Sequence, residues 1–258
     1  MHRSLTKTET QEANALPSEA FTILNLEGWL RGEFALHTLE ERLSGFHDPG
    51  NILFALELSD PIPVHDSCDI AAQSFAVHSS AAKRYIRKAA AFMKRHASSD
   101  WVIPKRFGDE IIANIGPLPV AARPIYLISA ETSTTKEIVY VGRTAAKDGR
   151  FRGGHHAITK LHAPNYDGTT KRVYMASVLV RTEETEWINL ELIRPDSNAE
   201  LYLSEIELNL IYSLQPALND QGKTDCIARM QHPVEIYDPH GLVPRSEWVW
   251  PRNNRLGK

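Results

Sequence analysis

Two short apolar runs separated by a polar one stand out in the middle of the chain. Residues 124–128 (PIYLI) and 138–142 (IVYVG) are short β-rich runs, each with one tyrosine. The polar run 129–137 between them predicts an antiparallel hairpin whose connection is too long for a two-residue turn and buries nothing. Residues 171–180 (KRVYMASVLV) predict a third strand and 187–193 a further short one. Upstream, residues 51–58 (NILFALEL) lie between Asp48-Pro49-Gly50 and Asp60-Pro61 and read as a strand, and residues 21–30 as a strand turning into Gly32.

Helical spacing is found in three places. Leu36, Leu39 and Leu43 share one side of a segment closed by Gly45. Residues 69–96 are rich in alanine and predict one or two helices, with Lys83, Arg84, Arg87, Lys88, Lys94 and Arg95 largely on one side. Two readings of that basic stripe stay open, a solvated helix face and a contact surface for a DNA backbone. The clearest helix spans residues 199–214, ended by Pro216, with an extended or turn segment at 217–219. At about 100° per residue, Leu203, Ile206, Leu210, Ile211 and Leu214 fall in one stripe, and Glu207 lies inside it. An inward carboxylate requires an ion pair, a proton or a bound cation.

Composition narrows the class. The chain has 258 residues, 42% hydrophobic and 24% charged, with a net charge of −3, so any nucleic-acid partner has to be held by a local basic surface. Two cysteines, Cys68 and Cys226, form no disulfide framework or metal spacing, and neither a secretory leader nor a membrane span is legible. These features suit a cytoplasmic protein without a membrane partner. Gly116-Pro117-Leu118-Pro119 reads as a linker. The expected organisation is residues 1–118 as an N-terminal unit (1–18 disordered), 119–225 as a second domain and 226–258 as an extension.

A basic, glycine-punctuated loop follows the hairpin: Arg150-Phe151-Arg152-Gly153-Gly154-His155-His156. Arginine forks fit phosphate oxygens and histidine moves protons near neutral pH, so a polyanion is the expected partner. The adjacent histidines also admit a metal, although no further ligands follow at zinc-site spacing.

Taken together, these residues resemble the GIY-YIG endonuclease superfamily. Ile125-Tyr126 and Tyr140-Val141-Gly142 look like its paired signatures, with Pro124 where a glycine usually stands. Arg150 lies eight residues after Gly142, Phe151 follows it, and His155 or His156 comes about one helical turn later. Glu207 lies twelve residues before Asn219, in a helix that ends at a proline. The resemblance covers about residues 123–220.

The expected fold is α+β: the resemblance implies a small domain with a central three-stranded antiparallel sheet flanked by helices, and residues 1–118, which it does not cover, are expected to form an unrelated α/β domain of unknown type that helps to select the target. The resemblance implies hydrolysis of DNA phosphodiester bonds with one Mg²⁺ (or Mn²⁺) held by Glu207, giving a 5′-phosphate and a 3′-hydroxyl. Tyr126 would take the proton from water, Tyr140 bind the phosphate or order the water, and Arg150 with His155 supply positive charge. Arg152 and His156 form the alternative pair, and Asn219 braces the site. A restriction or defence role comes first, repair or mobile-element processing second, with a homodimer if both strands are cut. An inactive DNA-binding module on the same scaffold and a histidine-metal nuclease are the competing expectations.

Overall fold

Twelve residues, Thr170–Arg181, form the longest strand and the axis of the sheet. The structure, a computed structural model, describes residues 23–33, 53–69, 75–96, 105–144, 151, 154–181, 187–192, 196–223, 234–243 and 248–249. The chain begins with β1 (Ile23–Leu24), α1 (Leu26–Leu30), β2 (Leu53–Leu58), β3 (Ile62–Pro63), α2 (Phe75–His96) and α3 (Lys105–Ile115). The hairpin strands β4 (Ile125–Glu131) and β5 (Lys136–Arg143), α4 (His156–Lys160) and the axis β6 (Thr170–Arg181) follow. The last elements are β7 (Trp187–Asn189), α5 (Asp196–Leu214), β8 (Val234–Tyr237) and β9 (Trp248–Val249).

Residues Val173 to Val180 of β6 are all buried, so both faces of the strand are covered and its apolar run is unbroken. Strand β4 runs antiparallel along residues 170–176 of β6, and β5 adds to the other edge of β4. Beyond β4 on that edge, β7 pairs with Leu179 and Val180. The opposite edge of β6 carries β3 at residues 172–173 and β2 at residues 176–181. Parallel pairings of β1 with β7 and β8 with β2, and β9 antiparallel to β8, complete nine strands.

The protein is thus mixed α+β, but its sheet is larger than the three-stranded one expected. Strand β4 runs antiparallel to both β5 and β6, as a hairpin plus one strand. The second half of β6 extends past β4 and needs other partners, which the apolar run of β2 supplies. Strands from before residue 118 and after residue 225 therefore hydrogen-bond within the same sheet as the hairpin.

Three local expectations are corrected. Residues 26–30 are a helix rather than part of a strand turning into Gly32, and Asn25 caps it by accepting a hydrogen bond from the Gly28 N–H at 2.8 Å. The hairpin connection is only residues 132–135, since Ser129, Ala130 and Glu131 continue β4 and are buried. Their polar groups satisfy one another: the Ser129 and Tyr174 hydroxyls donate to Glu131 at 2.6 and 2.7 Å, and Arg172 lies 3.3 Å away. Burial alone would raise the Glu131 carboxyl, but those two hydrogen bonds and the charges of Arg172 and Lys136 hold it below its ordinary value. Residues 187–193 form a strand only to Asn189, then a short helical turn over Leu190–Leu192. The expected helix around Leu36 to Leu43 and the terminal segments lie outside the described residues.

Side chains of β4 alternate between two layers. Ile125 and Leu127 join the large core with α1, α2 and α5, including Leu203, Ile206 and Leu210. Tyr126, Ile128 and Ala130 face the other way, against Phe151, Ala157, Leu161, Tyr166 and Met175. Among the described residues no helix is long and apolar enough to cross a membrane.

Candidate functional site

The two tyrosines of the hairpin lie on the smaller of these layers, and a backbone irregularity places the second. Ile128 pairs with Tyr140 and Ser129 with Ile138, so Val139 has no partner in the register. Such a bulge turns two successive side chains to one face. Val139 and Tyr140 accordingly both pack with Tyr126. The rings of Tyr126 and Tyr140 stack with centroids 6.0 Å apart.

Gly142 is opposite Tyr126 in the register. A Cβ there would lie 2.5 Å from the Tyr126 hydroxyl, 2.6 Å from its Cζ and 2.8 Å from Tyr140 Cε1. The hydroxyl of Tyr126 thus rests on bare backbone, which accounts for a glycine in the middle of an apolar strand.

From the other side the Tyr126 hydroxyl meets His155 Nε2 at 2.7 Å, a buried hydrogen bond. Gly154, at φ 84, makes the left-handed turn that delivers His155 to the start of α4. His155 is 6% exposed, whereas His156, the next residue, faces solvent. Phe151 closes the group, its ring 5.1 Å from Tyr126 and 5.3 Å from His155. Tyr126 is fully buried and Tyr140 only half-buried, so Tyr140 is the phenol nearer solvent.

Glu207 approaches from the opposite layer. Helix α5 packs Leu203, Ile206 and Leu210 on the face of β5 that bears Val141, away from the tyrosines. The Glu207 side chain is 22% exposed, at the margin of that core, and its Oε2 lies 3.2 Å from Arg143 Nε. Glu200, two turns earlier, lies 3.6 Å from the same guanidinium. The carboxylate that the helix projection turned inward is therefore held in an ion pair, one of the three options its position required. Gly142 and Arg143 are neighbours, so the tip of Tyr126 and this ion pair meet at one end of β5.

The chain leaves α5 through Gln215, whose φ of 50 is left-handed, into the buried Pro216. This turn lays residues 218–219 along the outer edge of β5. The Leu218 N–H donates to the Val139 carbonyl at 2.8 Å. Asn219 Oδ1 accepts from the Val141 N–H at 2.9 Å, and its Nδ2 donates to the Val141 carbonyl at 2.8 Å. Asn219 thus acts as a one-residue strand that fixes the backbone between Tyr140 and Gly142. Lys160 of α4 binds Asp220 at 2.9 Å, and that hydrogen bond and charge lower the Asp220 carboxyl.

The structure brings together Tyr126, Tyr140 and His155, with Asn219 behind the strand and Glu207 at its end. Arg150 and Arg152 lie outside the described residues. Arg143 was missed from the sequence, although strand alternation from Gly142 places it toward α5. The donor set suits a hard divalent cation only through Glu207: magnesium is commonly held by one or two carboxylates and keeps several waters. Arg143 engages the Oε2 oxygen of the Glu207 carboxylate. No group of three or more His, Cys, Asp or Glu able to hold a metal is found among the described residues. Comparison with models of known families, with curated proteins and with solved structures yields no match.

Proposed function

We propose that this chain is a divalent-metal-dependent endonuclease that hydrolyses DNA phosphodiester bonds, of the GIY-YIG type its motifs resemble. The observation that carries the reading is the hydrogen bond of 2.7 Å between the Tyr126 hydroxyl and His155 Nε2, set against Gly142 and beside Tyr140. A phenol with an ordinary pKa of about 10 is a weak base at neutral pH. A phenol bonded to an imidazole nitrogen can accept a proton from water while passing its own to that nitrogen, so no phenolate has to accumulate. The water adds to phosphorus, the bond to the 3′ oxygen breaks and that oxygen takes a proton from solvent, so the products carry a 5′-phosphate and a 3′-hydroxyl. Tyr140, half-buried, forms the wall at which water and phosphate arrive, and Arg143 is placed to offset negative charge growing on the phosphate. Glu207 would hold the Mg²⁺ or Mn²⁺ ion, which supplies Lewis-acid polarisation of the phosphate when bound. A restriction or defence role, or repair or mobile-element processing, would follow from the target chosen.

The ion pair of Glu207 with Arg143 favours a second reading, a DNA-binding module that does not cut. Supercoiled plasmid and single-stranded DNA incubated with Mg²⁺, Mn²⁺ or EDTA separate the two. The nuclease reading expects metal-dependent cleavage that falls at least a hundredfold in both Tyr126→Phe and Glu207→Gln. DNA binding without cleavage under either metal would overturn it in favour of the module.

A further inference from the structure

We infer that the exposed face of α2 binds the phosphate backbone of double-stranded DNA, away from the bond that is cut. Helix α2 has 22 residues, six of them Lys or Arg and none Asp or Glu, in a chain whose net charge is −3. Phe75, Ala82, Tyr85, Ile86, Ala89 and Met93 are buried in the large core. At about 100° per residue, Lys83, Arg84, Arg87, Lys88, Lys94 and Arg95 fall within roughly 140° on the other side.

A helix face that only meets water carries both signs of charge, because acidic residues three or four places away relieve the repulsion between cations. Here Lys83 and Arg87, and Arg84 and Lys88, are like-charged pairs four apart with no acid between them. The favourable field at a helix C-terminus accounts for Lys94 and Arg95 but not for four cations near the middle. Arg84, Arg87, Lys88 and Arg95 form no ion pair among the described residues; Arg87 and Arg95 donate only to carbonyls of their own helix, at 3.3 and 3.2 Å. Asp109 and Glu110 on the adjoining α3 are exposed and make no ion pair with them. The four cations Arg84, Arg87, Lys88 and Arg95, set along about 16 Å of helix, match a strand of phosphates, whose recognition needs charge and no sequence.

This inference shares with the nuclease reading only its polyanionic partner. The cations of this face are not among Tyr126, Tyr140, His155, Arg143 and Glu207, to which the nuclease reading gives the chemistry. It adds affinity without adding chemistry.

The test measures binding of the full chain to a fluorescein-labelled 30-base-pair duplex in EDTA, from 50 to 300 mM KCl. Replacing Arg84, Arg87, Lys88 and Arg95 by Gln is expected to weaken binding at least tenfold at 100 mM. The slope of log affinity against log salt should become shallower by about 0.9 for each phosphate no longer neutralised, about 3.6 for all four. If that protein does not fold, K88Q/R95Q is expected to change the slope by about 1.8. An unchanged slope overturns the inference. So does tighter binding to single-stranded RNA, or to vesicles with 30% phosphatidylserine, than to the duplex. A shallower slope in a protein that never cuts DNA would uphold this face and defeat the nuclease reading alone.

Discussion

Replacing Gly142 by alanine tests the geometry at the centre of the site. The added methyl would start 2.5 Å from the Tyr126 hydroxyl and 2.6 Å from its Cζ, where ordinary contact begins near 3.4 Å. The phenol tip must therefore retreat by about 1 Å. It has nowhere to retreat to, because Tyr126 is fully buried and Phe151 and His155 pack against it. Overpacking of this kind costs about 1–3 kcal/mol, which lowers Tm by about 2–4 °C per kcal/mol in a protein of this size. The hydrogen bond to His155 is the interaction that gives way, and misplacement by about 1 Å at a reacting group can cost about a hundredfold in rate. Calorimetry and plasmid cleavage on the same preparation read both effects. A Gly142→Ala protein that melts and cuts like the parent would mean that the ring does not lie over this strand, and the proposed proton path would fall with it.

Two further substitutions probe the surroundings. Asn219→Ala leaves the buried N–H and carbonyl of Val141 without their partners and should cost about 2–4 kcal/mol in urea denaturation; a loss under about 0.5 kcal/mol would show that the strand does not depend on this clamp. Glu191 is buried, accepts a hydrogen bond from the Ala122 N–H at 3.1 Å, and has its carboxyl pushed from 4.5 up to about 7 by that burial, against the hydrogen bonds and His78. Because the folded value is the higher one, its stabilising contribution is complete below about pH 4.5 and is lost as pH rises through about 7, some 3 kcal/mol in all. Denaturation between pH 5 and 8 should show this fall in the parent and not in Glu191→Gln, and equal slopes in the two would refute the assignment.

What the sequence disclosed follows the range over which its physics acts. The hairpin tyrosines were legible because strand alternation is local, and the helix from Ala199 to Leu214 because its stripe is. The choice between His155 and His156 was not legible: it depends on the left-handed turn at Gly154, and adjacent glycines leave more than one turn open. The pairing of β2 with β6 was hidden for another reason. Leu53 meets Arg181 across more than a hundred residues, and nothing in a single strand names its neighbour. Buried Glu131 read as loop because its partners Tyr174 and Arg172 come from β6.

Glu207 shows how far a helix projection can carry an assignment. The projection gave a direction for the side chain, and an inward carboxylate cannot remain uncompensated. It could not supply the compensating group, since Arg143 lies on a strand 64 residues earlier in the numbering. Arginine and magnesium answer the same electrostatic need and differ in consequence: the guanidinium stays, whereas the ion exchanges with solvent. A carboxylate that serves both would bind magnesium more tightly once Arg143 is made neutral. Arg143→Gln should therefore raise affinity in a calorimetric Mg²⁺ titration while it lowers plasmid cleavage, and the two effects can only part if one oxygen pair is shared between guanidinium and ion.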